Sequence, residues 1–397
     1  MPKSLWILVI AMALNVTGTS FLWPINTIYI HEYLGKSMTV AGIVLLFNSG
    51  AGVLGNLVGG SLFDKFGGYK TIVAGASINL ACLLLLVLYH DFTIYSVLLA
   101  IIGFGSGVTF PAMYALAGTL WKEGGRKAFN SIYVAQNVGV ALGAAGGGFA
   151  ASYSFQWSFI GNAILSGVFL LLAIFGFRSF AMKNDSVSAQ RATEVSKKMK
   201  KNTVFIALLI LCGGYLLAWM SYVQWQSTIA VYTQEAGVSK RLYSLLWTVN
   251  GALIVLLQPV LAFIVKKWIT SVKKQILTGY VIFMISFWLA GYVHEFPGFL
   301  AAMIILTLGE MFVWPAVPSI ANDLAPKGKT GFYQGVVNST ATAGRMIGPL
   351  FGGMIADIWG MNIVFIVLIG LFVISIVLTL LYDRVLPTKA NYMKKTG

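Results

Sequence analysis

The sequence predicts an all-α polytopic membrane protein whose twelve transmembrane helices form two six-helix bundles. Three observations predict it. First, 58% of the 397 residues are hydrophobic and only 10% are charged, with a mean hydropathy of +0.82. A soluble globular domain carries about 25% charged residues. Second, twelve apolar runs of roughly the length a bilayer span requires can be laid along the chain. Third, the basic residues collect in alternate connections between those runs.

The runs are placed at 5–30, 38–63, 70–89, 93–120, 128–152, 157–177, 203–230, 242–265, 275–293, 299–320, 331–357 and 363–382. Residues 5–28 are long and unbroken, so they read as a retained first helix and not as a cleaved leader. The net charge of +15 raises the possibility of a nucleic-acid partner, but the position of the charges argues against one. Of the 27 Lys and Arg, all but Lys36, Lys240, Arg241 and Arg345 lie at the termini or in the connections 64–70, 121–127, 178–202, 266–274 and 322–330. This is the positive-inside pattern, and it places both termini in the cytoplasm of a cell inner or plasma membrane. Attraction to anionic membrane lipid follows as a by-product. Cys82 and Cys212 stand alone in apolar runs and read as small core residues.

The longest polar connection, 178–202, holds seven Lys and Arg against Asp185 and Glu194. It divides the chain into an N-terminal bundle over 1–177, a cytoplasmic linker, and a C-terminal bundle with a short tail over 203–397. The halves repeat. Gly105, Phe110-Pro111-Ala112 and Leu120 match Gly309, Trp314-Pro315-Ala316 and Leu324 at an offset of 204. Gly139, Gly143, Gly147 and Gly148 match Gly344, Gly348, Gly352 and Gly353 at an offset of 205. Parallel six-helix repeats are a transporter architecture with the substrate site between the halves.

Within the repeat, Ser106 stands where Glu310 stands and Val140 where Arg345 stands, so the charges belong to the second half alone. Both charges are expected near the middle of the bilayer. An ionisable side chain there costs roughly 2.5–3.5 kcal/mol on insertion scales and marks a functional site. Burial favours the neutral form of an acid, whereas a neighbouring guanidinium favours the ionised form. Glu310 is therefore expected to be a protonation switch that pairs with Arg345 in one state, the alternatives being a static ion pair or a substrate-anion site on Arg345.

The segment Gly60-Ser61-Leu62-Phe63-Asp64-Lys65-Phe66-Gly67-Gly68-Tyr69-Lys70 joins the second and third runs. It resembles the loop motif of the major facilitator superfamily, with Gly60, Leu62, Asp64, Lys65, Gly67 and Lys70 in register. The resemblance implies a facilitator fold in which Asp64 meets the N-terminal end of the eleventh helix, near Gly331, and latches one conformation. Glycines at 139, 143, 147 and 148 are similar to the antiporter motif of the drug-exporting branch, with Ala144 in place of its proline. The complete form, Gly-x3-Gly-Pro-x2-Gly-Gly, occupies 344–353 instead. Small residues at this spacing let helices pack closely, which by itself accounts for them.

The segment Thr307–Leu324, with Leu308-Gly309-Glu310 at its start and Asp323-Leu324 at its end, resembles the tenth helix of lactococcal-type multidrug–proton permeases. In that group the matching glutamate is implicated in proton coupling and in binding cationic substrates. The group's acid in the fifth helix is Ile132 here, and its usual fourth-helix arginine has no counterpart in 100–105. Any proton relay therefore rests on Glu310 and Arg345.

Tyr215, Trp219, Tyr222 and Trp225 recur at spacings of 4, 3 and 3, largely along one helical face. An aromatic stripe of this kind is ordinarily packing or an interfacial belt. Beside Trp314 it also suits a wall for flat cations. Asn26, Gln136 and Asn137 are candidate polar contacts to substrate, and Asn250 is among the further polar groups available to a wet cavity. The chain has no nucleotide-binding loop, and His31, His90 and His294 are too scattered for a metal or a triad. No cofactor, metal or enzymatic activity is expected.

The resemblance as a whole implies a bacterial secondary transporter exporting amphipathic or cationic drugs in exchange for protons, acting as a monomer by alternating access. The alternative on the same fold is a proton-coupled or facilitative carrier of a sugar, a lipid-linked glycan or a small organic anion.

Overall fold

Glycine, proline and short polar side chains decide where the apolar segments stop. The computed structural model describes residues 1–22, 26–194 and 203–386, and no strand occurs among them. The helices are α1 (Lys3–Leu22), α2 (Met38–Phe66), α3 (Gly68–Leu88), α4 (Phe92–Leu120), α5 (Arg126–Tyr153) and α6 (Phe155–Glu194). There follow α7 (Thr203–Tyr222), α8 (Lys240–Leu256, continued by Gln258–Lys267) and α9 (Val272–Tyr292). The last are α10 (Phe296–Val313, continued by Ala316–Leu324), α11 (Thr330–Trp359) and α12 (Met361–Leu381).

Side-chain oxygens of Ser37, Asp91 and Ser239 accept backbone N–H bonds in the first turns of α2, α4 and α8. They satisfy donors that a helix start otherwise leaves open. Gly67 (φ +84°) and Gly360 (φ +79°) make corners between α2 and α3 and between α11 and α12, in a conformation that disfavours any side chain.

Among the described residues, nine helices are long and apolar enough to cross a membrane, and the bent pair of α8 makes ten. The two remaining long helices, α5 and α11, are the glycine-rich members of the repeat, diluted by Gly, Ser, Thr and Asn. Large apolar side chains such as Phe47, Leu88, Phe175 and Leu256 lie two-thirds or more exposed, as a lipid-facing surface requires.

The chain separates into two compact units, residues 1–196 with 326–342, and residues 197–325 with 343–397. In the first unit, α6 runs on to Glu194, through much of the stretch expected as a linker. Residues 195–202 lie outside the described ones, as do 23–25 and the tail from 387. Leu5, Leu8, Met12, Met113, Phe129 and Phe169 form one core of this unit, and Leu22, Tyr29, Tyr95 and Phe159 anchor a second.

Glycines let α5 lie directly on the α1 backbone. A Cβ at Gly139 would stand 2.7 Å from the Ala13 carbonyl oxygen, one at Gly143 2.3 Å from that of Thr17, and one at Gly147 2.4 Å from that of Phe21. The second unit repeats the device between α11 and α7, where Gly344 faces Trp219, Gly348 faces Val223, and Gly352 faces Gln224.

Gln224 explains why the seventh run is not one helix. Its Nε2 donates to the Met220 and Gly348 carbonyls at 2.8 and 2.6 Å, while the Ser227 and Thr228 hydroxyls donate to its Oε1. Side chains thus compete with the helical ladder. The chain passes through a tight turn at Val223–Gln226 before a short helix, Thr228–Glu235. A Gly352→Ala substitution would place its Cβ 2.0 Å from Oε1 of Gln224, which is fully buried and held on both sides. Overpacking of this kind costs about 1–3 kcal/mol. The expected outcome is a lower thermal unfolding midpoint, with no loss for Gly353→Ala, where nothing lies within 4 Å.

Candidate functional site

Proline sets up the geometry around Glu310. Pro315 removes a helical donor and Pro318 a second one, and α10 breaks at Trp314 and Pro315. In the first half, Pro111 has no second proline behind it and α4 continues unbroken. The break in α10 leaves Trp314 beside the last turn before it, its backbone N–H bonded to the Glu310 carbonyl at 3.0 Å.

Among the described residues, Glu310 is the one charged side chain in the buried set, 2% exposed. Its Oε1 accepts from Asn250 Nδ2 on α8 at 2.6 Å. Asn250 also donates to Thr307 Oγ1 at 2.9 Å, and Thr307 in turn donates to the Met303 carbonyl at 2.8 Å. The Tyr222 hydroxyl of α7 interacts with Glu310 and lies within the field of Arg345. Every group of this network is buried, so the carboxylate is fixed in direction.

Arg345 of α11 is exposed, and its guanidinium carbon lies 4.7 Å from the centroid of the Trp219 ring. Trp314 stacks on Trp219 at 4.2 Å and 11°. Tyr215 and Tyr222 meet Trp314 edge-on, at 72° and 89°. Four aromatic residues from the sequence reading, Tyr215, Trp219, Tyr222 and Trp314, thus come together with Glu310 and Arg345 in the second unit. Trp225 does not join them. The turn at Val223–Gln226 carries it out of the stripe, fully buried, against Phe287 at 6.4 Å. Its carbonyl accepts from the Tyr243 hydroxyl, which also accepts from Trp247 Nε1 at 3.0 Å.

The other sequence candidates belong to the first unit. Asn26 Oδ1 accepts from the Tyr95 hydroxyl at 2.8 Å, and Gln136 Oε1 from that of Tyr114 at 2.7 Å. Asn137 donates within its own helix, to the Tyr133 carbonyl at 2.9 Å. These bonds join each side chain to its own unit's scaffold.

Asp64 stands at the N-terminus of α11. Its two oxygens accept from the backbone N–H groups of Gly331 and Phe332, at 2.7 and 2.8 Å. A carboxylate there meets the positive end of the helix dipole. The approach is close enough that a Cβ at Gly60 would lie 2.3 Å from the Gly331 carbonyl oxygen, and the reverse holds for Gly331. Farther along, Ser339 Oγ donates to the Val53 carbonyl at 3.0 Å. Lys65 lies over Phe66 at 5.0 Å, Gly67 makes the corner, and Lys70 is exposed.

The sequence profile of the Major Facilitator Superfamily matches residues 8–270 and 211–395. The chain is 59% identical over 385 residues to the uncharacterized MFS-type transporter YttB of Bacillus subtilis (strain 168), covering 97% of this chain and 96% of that one. The chain belongs to the major facilitator superfamily. More distantly, this facilitator is 25% identical over 354 residues to the multidrug resistance protein MdtH of Yersinia pestis (strain Pestoides F), covering 87% and 84% of the two chains. Its fold matches that of the human organic anion transporter MFSD10 (TETRAN), with a TM-score of 0.72, 15% identity, and coverage of 96% and 100%. It also matches the POT family transporter PepTSo, with a TM-score of 0.68, 15% identity, and coverage of 100% and 99%. This facilitator is a multi-pass membrane transporter and not an enzyme.

Proposed function

We propose that this facilitator is a proton-coupled exporter of amphipathic, cationic compounds, working by alternating access of two six-helix bundles, 1–177 and 203–397, with both termini in the cytoplasm. The observation that carries the reading is the setting of Glu310. A single buried acid, aimed by Asn250, shares Tyr222 with the one guanidinium of the same aromatic cluster. Intramembrane acids of this kind serve as proton carriers. In the proposed cycle Glu310 takes a proton from one side and releases it to the other, and the field of Arg345 at the acid changes as α7, α10 and α11 shift. Asp64 holds one of the alternating states through its bonds to α11. The distant similarity to a multidrug resistance protein supports the same substrate class.

The test is transport by the purified protein in proteoliposomes. Cationic dyes are expected to accumulate against their gradient when a pH gradient is imposed, and to stop when a protonophore collapses it. A protein that ignores a broad dye panel yet carries one sugar, glycan or organic anion would overturn the proposal.

A further inference from the structure

Asn250 has a counterpart in the first half. Asn48 and Asn250 lie at an offset of 202, the offset that also separates Ser37 and Ser239, the serines that cap α2 and α8. Each asparagine ties its helix to the next but one, α2 to α4 and α8 to α10, yet the acceptors differ. Asn48 Nδ2 donates to the Leu99 backbone carbonyl at 2.6 Å. Asn250 Nδ2 donates to two side chains, Thr307 Oγ1 at 2.9 Å and Glu310 Oε1 at 2.6 Å. A backbone carbonyl carries no titrating proton, whereas a carboxyl group does.

The helices joined by these bonds are also held differently. In α2, glycines bring backbone against backbone. A Cβ at Gly55 would lie 2.2 Å from the Phe104 carbonyl oxygen, and one at Gly59 2.4 Å from Val108 Cα. At the same offset α8 carries Leu257 and Leu261, and a Cβ on its own Gly251 would meet nothing within 4 Å. Among the described residues, no glycine seam of that kind holds α8. Just past Asn250 the helix bends by 55° between Leu256 and Gln258, where Pro259 has no N–H to continue the ladder.

We propose that Asn250 couples the charge of Glu310 to the docking of α8 on α10, as a positioning residue that grips the ionised acid and loosens its hold on the protonated one. The proposal rests on the export reading above, whose cycle gives α8 no part, and adds a moving element to it. A hydrogen bond to an ionised acceptor is about twice as strong as one between neutral groups. Loading a proton on Glu310 therefore weakens the tie between α8 and α10, and releasing it restores that tie. The bond from Asn48 to Leu99 stays constant throughout. The ionisable groups that interact around this acid are Tyr222 of α7, with Tyr243 of α8 and Arg345 of α11 beyond it. Phenols and a guanidinium keep their protons between about pH 5 and 8, so the carboxyl is the group that changes there.

The experiment is hydrogen exchange of the purified full-length chain in lipid nanodiscs, at about pH 5 and about pH 8, with no gradient and no substrate. Rates are divided by the intrinsic rate of each amide at that pH. In wild type, peptides covering 243–254 are expected to exchange roughly 3- to 10-fold faster at the lower pH, the difference between a charged and a neutral acceptor. Peptides covering 41–52 of α2 keep one rate. In Glu310→Gln the α8 peptides exchange at the faster rate at both pH values, and in Asn250→Ala they no longer respond to pH. Should Asn250→Ala fail to fold, Glu310→Gln carries the test, since its amide accepts the same bond without charge.

Equal α8 exchange at both pH values in wild type overturns the proposal. So does a pH response that survives in Asn250→Ala or in Glu310→Gln, since another contact would then carry it. Failure here is separable from failure of the export reading, because exchange is read without dye or gradient. A chain that moves no dye can still show the response, and one that moves dye can lack it.

Discussion

Replacing Glu310 by glutamine is expected to abolish transport driven by a pH gradient while leaving the fold in place. The argument is local. Asn250 Nδ2 donates to Glu310 Oε1 at 2.6 Å, and a glutamine Oε1 accepts the same bond in the same direction. Asn250 keeps its second bond to Thr307, and Tyr222 meets an amide of nearly the same shape. The ring contacts among Trp219, Trp314, Tyr215 and Tyr222 are therefore kept, and only the titrating proton is gone. Dye accumulation in proteoliposomes should fall to the level seen with protonophore, and the remaining transport should lose its pH dependence. The thermal unfolding midpoint should stay close to wild type. A Glu310→Gln protein that still moves protons together with substrate would remove Glu310 from the coupling step.

The frame of this molecule is legible in the sequence because membrane spans obey composition, and composition is local. Among the described residues, each of the twelve apolar runs falls on a helix or on a helix interrupted by a short break. Even α5 and α11, below the hydropathy of a typical span, are recoverable from the glycine repeat that gives them their role. The breaks are another matter. The seventh run turns at Val223–Gln226 because Gln224 reaches the Gly348 carbonyl, 124 residues away in sequence. The eighth bends by 55° between Leu256 and Gln258. Both depend on neighbours or on one proline in an otherwise helical pattern, so hydropathy runs straight through them. The cost to the site reading is concrete. A continuous helix puts Trp225 in line with Trp219 and Tyr222, whereas the turn removes it.

Glu310 and Arg345 stand out in the sequence because a charge inside an apolar run has few bland explanations. Their unequal exposure does not. Glu310 is 2% exposed and Arg345 is open, and this follows from how α10 and α11 are rotated about their axes. Asn250 was visible only as one of several polar residues. Its pairing with Glu310 spans 60 residues and two helices, and no spacing rule connects them. The facilitator loop motif is the opposite case. Each of its residues acts within a few ångströms of one corner, so a linear pattern describes it well.

That corner carries the second large effect. Asp64→Asn is expected to open the first turn of α11. The carboxylate accepts two backbone N–H bonds, from Gly331 at 2.7 Å and from Phe332 at 2.8 Å, one on each oxygen. An asparagine has one acceptor oxygen, and its amide group turns two donors against whichever N–H remains. The loss is of one hydrogen bond to a charged acceptor, about 1.5–3 kcal/mol, together with the favourable charge at the positive end of the helix. At about 1.4 kcal/mol per tenfold, amide exchange at Gly331 and Phe332 should quicken by roughly 10- to 100-fold. Hydrogen exchange of peptides covering 331–332 reads this directly. The close packing at Gly60 and Gly331 supplies the control, since a Gly60→Ala chain pushes a Cβ against the Gly331 carbonyl while keeping the carboxylate. Both variants should lose protection at the same two amides, but only Asp64→Asn removes charge from the helix end. Added salt should therefore reduce its difference from wild type and leave that of Gly60→Ala in place. Unchanged exchange in Asp64→Asn would show that the end of α11 is held by packing alone, and the latch proposed for Asp64 would go with it.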